Sequence, residues 1–217
     1  MLDTTIIITN YNKAKYLGRC IRSCLNQSLN RENYEVIVVD DCSTDESREV
    51  ISSFVHINPI LLPENLGVAE ASNIGIRAAL GRFVIRVDAD DYINEHTLLF
   101  LREILEKNPD IGFAYADHYR VDEGERVMER VNIYTPDLLF RHGAGIMFRK
   151  SHLEAIGLYK KELRNAEDYD LLKRYIKNWD GYHLPLPLYR YRIHPEQMTA
   201  DEGERKRWEK RADEDRE

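Results

Sequence analysis

No run of apolar residues in this 217-residue chain approaches the length of a bilayer-spanning helix. A transmembrane segment is therefore not expected, although peripheral association with a membrane is compatible with the sequence. No basic region precedes the apolar start Met-Leu-Asp-Thr-Thr-Ile-Ile-Ile, so it reads as a first core strand rather than a signal peptide. Cysteine is scarce. Cys20, Cys24 and Cys42 lack His or Cys partners at zinc spacing, which predicts free thiols in a reducing cytoplasm. Positive charge is not in excess: 31 Lys and Arg stand against 38 Asp and Glu, for a net charge of −7, which weighs against nucleic acid as a partner. No Gly-x-Gly-x-x-Gly turn follows the first strand, and no Gly-x-x-x-x-Gly-Lys loop exists. A dinucleotide cofactor and a P-loop ATPase are thereby set aside. A diphosphate would have to be held by a metal ion. No internal repeat is evident.

What is present alternates strand with helix. Residues 5–9, 34–39, 57–62 and 83–87 read as strands, and 13–29, 44–55, 68–80 and 94–107 as helices. Ser43 or Thr44 is the expected cap of the second helix. Such βαβ units imply right-handed crossovers and a parallel sheet covered on both faces. Ligands of these sheets sit beyond the carboxyl ends of the strands. Thr9, Asp41 and Asp88 all fall there.

The fourth strand carries the strongest signal. Phe83-Val-Ile-Arg-Val runs into Asp88-Ala89-Asp90-Asp91. Continued alternation would point Asp88 and Asp90 the same way. Two adjacent carboxylates suit a hard divalent cation, Mg²⁺ or Mn²⁺, whose natural second partner is a phosphate. The plainer reading is an acidic turn capping the helix that begins near Asn94.

The second half is less regular. Residues 111–121 and 126–131 read as a hairpin, 135–141 as a short helix, 143–148 as a strand and 151–156 as a helix. A helix follows over 167–177, with Glu167, Asp168 and Asp170 in its first turn. Residues 182–193 read as extended chain in which Pro185 and Pro187 mark an edge. Residues 201–217 read as a charged tail or frayed helix around Trp208.

Taken in order, these pieces resemble the family 2 glycosyltransferases. The resemblance rests on Ile7-Ile8-Thr9-Asn10-Tyr11-Asn12, Val38-Val39-Asp40-Asp41-Cys42-Ser43-Thr44-Asp45, Asn65-Leu66-Gly67-Val68, Ser72-Asn73-Ile74-Gly75 and Val87-Asp88-Ala89-Asp90-Asp91. It continues through Gly157-Leu158-Tyr159, Ala166-Glu167-Asp168-Tyr169-Asp170-Leu171 and Tyr191-Arg192-Ile193-His194-Pro195. It implies an α/β fold: a single GT-A domain over 1–200, with a Rossmann-like, mostly parallel sheet flanked by helices. The nucleotide-sugar half would cover 1–93 and the acceptor half 94–200.

The implied activity is that of a soluble, inverting, metal-dependent glycosyltransferase. It would move a sugar from a nucleotide-diphospho-sugar, UDP- in preference to GDP- or dTDP-linked, to a glycan or lipid-linked acceptor in polysaccharide biosynthesis. By the same resemblance Thr9, Tyr11 and Asp41 would hold the base, Asn73 would lie on the donor side and Asp88 would take the ribose. Asp90 of the Asp-x-Asp motif and His194 would ligate the metal, and Asp168 would be the catalytic base. Each has a plainer alternative: Tyr11 a core aromatic, Asn73 bonding its local backbone, His194 an ordinary loop histidine, Asp168 a helix-dipole acid. Many members carry a basic residue just before the position of Asn73; here Ser72 stands there. The chain stops about twenty residues after His194 and is not expected to be a processive, membrane-embedded synthase. The rivals are a non-catalytic nucleotide-sugar or glycan-binding module and a sugar nucleotidyltransferase. The latter should carry a glycine-rich basic loop where Asn10-Tyr11-Asn12 stands.

Overall fold

Strand β1 (Thr4–Asn10) is buried along its whole length, which is why it reads as an unbroken β-branched run. The computed structural model describes residues 2–133, 139, 143–163, 166–197 and 202–214. The expected helix over 135–141 falls largely outside them. β1 pairs in parallel with β2 (Tyr34–Asp40) on one side and β4 (Phe83–Asp88) on the other; β2 pairs in parallel with β3 (Asn58–Leu61). Helices α1 (Ala14–Leu25), α2 (Ser47–Ser52) and α3 (Val68–Ala78) make the crossovers. The register sets Thr9 beside both Val39 and Asp88, and Asn10 beside Asp40. Three strand ends thus reach the same level.

The second half completes the sheet. Its order is β3-β2-β1-β4-β8-β6-β9-β5, with β7 (Val127–Val131) on β6 (Ile111–Val121). β8 (Met147–Arg149) runs antiparallel to both β4 and β6, whereas β9 (Asp180–Arg192) is parallel to β6. The register between β6 and β9 slips where Ala116 faces Leu184 and Asp117 faces Pro187. Pro185 and Leu186 are carried in that bulge, since a proline cannot donate to a ladder. β5 (Tyr92–Ile93) pairs antiparallel with β9; two residues have no period, and this strand is absent from the sequence reading. The expected α/β class holds, with its parallel half at the front and a mixed half behind.

Alternation divides the core. Ile6, Ile8, Phe83, Ile85 and Val87 face α1, α2 and α4 (Thr97–Lys107). Ile7, Ile37, Val39 and Val84 face α3, α5 (Lys150–Ala155) and α6 (Glu167–Tyr175). Each fully buried Ile or Leu contributes roughly 1.5–3 kcal/mol. The free thiols of Cys20 and Cys24 are buried within the first layer. The tail forms helix α7 (Glu202–Glu214), which packs on α6 with Ala212 buried.

Two predictions follow from this packing. Gly81, expected to end α3, lies three residues beyond Ala78 and presses on β1: a Cβ there would stand 2.6 Å from the Thr4 carbonyl carbon. Gly81→Ala should destabilise the fold by about 1–3 kcal/mol, and an unchanged thermal melt would mean that β1 can retreat. Separately, burial and Arg120 push the His118 imidazole down to about 4, against opposing pulls from Asp117 and Glu129. The unfolded chain takes up that proton near pH 6.5, so stability is complete above that pH and is lost as pH falls toward 4. His118→Gln should flatten this acid-side loss in urea titrations between pH 7.5 and 4.5.

Candidate active site

The loops after β1 and β2 are locked to each other. Asn10 Nδ2 donates to Asp40 Oδ1 (2.8 Å) and Ser43 Oγ (3.0 Å). The Asn12 amide donates to Ser43 Oγ, and Asn12 Oδ1 accepts from the Thr44 amide. Asp45 accepts from the Ala14 amide at the start of α1. Ser43 and Thr44 therefore join the two loops instead of capping α2, which begins at Ser47. Asn12 and Cys42 hold φ of +53° and +63°, a strain that packed loops sustain. Tyr11 stands out from this platform, 46% exposed, and is not a core aromatic. Asp40 is buried and serves the turn, accepting also from Arg48 Nε. Asp41 lies at 3% exposure, accepting from the Leu66 and Gly67 amides at 2.7 and 2.8 Å. Thr9 is buried between Val39 and Asp88.

The acidic stretch departs from simple alternation. β4 ends at Asp88, and the Asp91 amide donates to the Asp88 carbonyl in a turn. Asp88 and Asp90 consequently take different partners rather than sharing one. Asp88 stays on the Arg86 side of the strand, Oδ1 3.1 Å from Arg86 Nε. Burial lifts its carboxyl to about 6, with Arg86 pulling the other way. Asp90 turns toward His194. Asp91 does not cap a helix; α4 starts at Thr97 with His96 at its cap. Its buried carboxylate accepts from the Tyr189 hydroxyl (2.8 Å) and the Arg192 amide (2.7 Å). Tyr189 Oη also accepts from the Asp88 amide, and Arg192 Nε donates to the Asp90 carbonyl.

Asp90 Oδ2 lies 3.0 Å from His194 Nε2 and 3.4 Å from Lys13 Nζ. Burial works to raise the Asp90 carboxyl, but the His194 hydrogen bond and the Lys13 charge outweigh it and hold it below the usual range. Lys13 also donates to the Glu196 carbonyl (2.9 Å). The His194 ring packs against Tyr16, 4.9 Å between centroids, and its buried Nδ1 has no hydrogen-bond partner. Among the described residues no group of three or more His, Cys, Asp or Glu is arranged to hold a metal. A carboxylate and an imidazole fit a divalent cation as a two-residue foothold, with phosphate oxygens and water completing the shell. The cation would share Asp90 Oδ2 with Lys13 or displace it.

Arg86 joins the strand end to α6. Its Nη2 donates to Asp168 Oδ2 at 2.7 Å, and Nη1 lies 4.0 Å from Glu167 Oε1. Burial, reinforced by Asp168, pushes the Glu167 carboxyl up to about 8. Asn73 does not reach the crevice. Its amide donates to the Tyr159 carbonyl and to Glu70, and its carbonyl accepts from the Tyr159 amide. Neither the donor contact nor the local backbone bond describes it; it clamps α3 to a turn 86 residues away.

Three residues of this arrangement were not singled out as site groups in the sequence. Arg86 carried a readable signal, an arginine inside an apolar strand. Lys13 and Tyr189 carried none.

A family model described as Glycosyl transferase family 2 matches residues 5–157. The poly(ribitol-phosphate) beta-N-acetylglucosaminyltransferase TarS of Staphylococcus aureus is 34% identical over 102 residues, 45% of this chain and 18% of TarS. The chondroitin synthase of Pasteurella multocida is 30% identical over 202 residues, 88% of this chain and 20% of that protein. The chain thus spans about a fifth of the length of each of these two relatives. A crystal structure of TarS 1–349 with UDP-GlcNAc superposes with a TM-score of 0.79 at 23% identity, over 92% of this chain and 61% of that one. The mannosyltransferase PcManGT from Pyrobaculum calidifontis, bound to GDP-Man and Mn²⁺, superposes with a TM-score of 0.73 at 20% identity, over 89% and 57%.

Gly143 is the close neighbour of Asp168: a Cβ built on it would overlap the Asp168 carboxylate. Gly143→Ala should push Asp168 away from Arg86 and cost about 100-fold in any turnover that uses Asp168, with little change in melting temperature. Undiminished turnover would show that the Asp168 position is not critical.

Proposed function

Because the chain belongs to glycosyl transferase family 2, we propose that it transfers a sugar from a nucleotide-diphospho-sugar to a hydroxyl, with inversion at the anomeric carbon. The observation that carries this reading is the meeting of Asp88 and Asp168 across one guanidinium, at 3.1 and 2.7 Å. A residue of the donor crevice and a carboxylate 80 positions later thereby border the same space. Tyr11 is exposed enough to stack on a base. Asp41 keeps a second lone pair on each oxygen after its two backbone bonds, so it can accept a ring N–H of uracil or guanine. Asp88 takes the ribose hydroxyls. Relatives that hold UDP-GlcNAc and GDP-Man support a nucleotide-sugar donor; a UDP-sugar is the first choice.

Asp168 takes the proton of the acceptor hydroxyl as that oxygen attacks the anomeric carbon. The bond to the nucleoside diphosphate breaks on the opposite face. Asp90 and His194 would hold the divalent cation, Mn²⁺ in preference to Mg²⁺. Bound there, the cation would offset the charge that grows on the leaving diphosphate. The acceptor is a glycan or lipid-linked glycan. TarS and chondroitin synthase, by their names, act on polymers, which supports that class.

A thermal-shift screen of UDP-, GDP- and dTDP-sugars with and without Mn²⁺ tests the donor, since a ligand bound only by the fold raises the melting temperature. A UDP-sugar should give the largest rise, and Asp90→Ala should abolish the part that depends on Mn²⁺. Asp168→Asn should keep nucleotide binding and lose roughly 10²–10⁴-fold in turnover, the usual worth of a general base. Full turnover in Asp168→Asn would remove the base assignment.

A further inference from the structure

Alternation along β4 turns Phe83, Ile85 and Val87 to one core layer and Val84, Arg86 and Asp88 to the other. Arg86 therefore lies where the sheet is covered by α3, α5 and α6, at 8% exposure. A guanidinium cannot shed its charge, and burying it is costly unless it is paired. Its surroundings are Asp88 on its own strand, Glu167 and Asp168 at the start of α6, and the Tyr159 ring, 5.5 Å from Cζ. Only one of these contacts is a hydrogen bond. Among the described residues Nε and Nη1 have no hydrogen-bond partner, while Nη2 donates to Asp168. The well-aligned hydrogen bond thus goes to Asp168, and Asp88 Oδ1 is held 3.1 Å from Nε as an ion pair.

The space beside the guanidinium is a cavity of about 10 Å³ lined by Ser72, Ile76, Val84, Phe148 and Tyr159. It is too small for the side chain to swing into. Ser72 is short, buried and turned back to the Val68 carbonyl; a longer cationic side chain there would crowd Arg86 with like charge.

We propose that Arg86 is a positioning residue for transfer: it aims the Asp168 carboxylate and fixes the base relative to the Asp88 end of β4. This rests on Asp168 being the base. Nη2 could reach a phosphate only by displacing Asp168.

The test compares Arg86→Gln, Arg86→Lys and Asp168→Asn in turnover of UDP-N-acetylglucosamine with Mn²⁺, or of GDP-mannose if the wild type prefers it. UDP affinity is measured by calorimetry, and melting curves check folding. Arg86→Gln should lower kcat about 100-fold, with donor KM and UDP affinity within threefold of wild type. Arg86→Lys keeps the charge but cannot span both carboxylates; it should recover only part of kcat. If the glutamine variant does not fold, the lysine variant carries the test through its kcat loss at unchanged donor KM. The proposal is overturned if the variants keep kcat within threefold, or if the loss appears in donor KM and UDP affinity. It is also overturned if Arg86→Lys recovers none of the kcat that Arg86→Gln loses. An active Asp168→Asn would instead remove the base reading itself; an inactive one beside an active Arg86→Gln would remove this proposal alone.

Discussion

The Asp88–Asp91 turn is held from the other end of the chain, and the crevice depends on that grip. Asp91 brings a carboxylate to 2% exposure, a cost of several kcal/mol for an ion left alone. Tyr189 and the Arg192 amide, both on β9, supply its hydrogen bonds. Tyr189 also reaches the Asp88 amide, and Arg192 the Asp90 carbonyl. β9 is in place only because it lies parallel to β6 along nearly its full length. The front strands are aligned by their own parallel pairing, whereas the turn takes its hydrogen bonds from the last strand.

Charge matching governs the rest. The crevice collects Asp88, Asp90, Asp91, Glu167 and Asp168, and the fold answers with a few basic groups at measured places. Arg86 answers the Asp88 and Asp168 side. Lys13 and His194 answer Asp90. Glu167 is answered by keeping its proton, with its carboxyl pushed up to about 8. The two sides are separate because β4 stops at Asp88. The division keeps the carboxylates paired with Arg86 apart from the one paired with His194 and Lys13.

Much of the fold was legible because burial writes a period into the chain. β1, β2, β4 and β6 lie where the apolar runs put them, and the strand-end residues Thr9, Asp41 and Asp88 follow from those runs. The period stops being informative where the strand stops. Extending it past Asp88 set Asp90 on the wrong side, and reading Asp91 as a cap overlooked a partner about a hundred residues away. Asn73 failed for the same reason. An asparagine in a helix suggests a local bond, and nothing near it in sequence names Tyr159. Arg86 could be placed on a face of its strand, yet what covers that face was fixed only by the helix bearing Asp168.

Asn73 grips both backbone groups of Tyr159, so the helix beside the first strands is tied to a turn 86 residues away. On the reading proposed above, stereochemistry would then be a property of assembly: the angle between an attacking oxygen and a departing group would be set when these two stretches of chain are joined in folding.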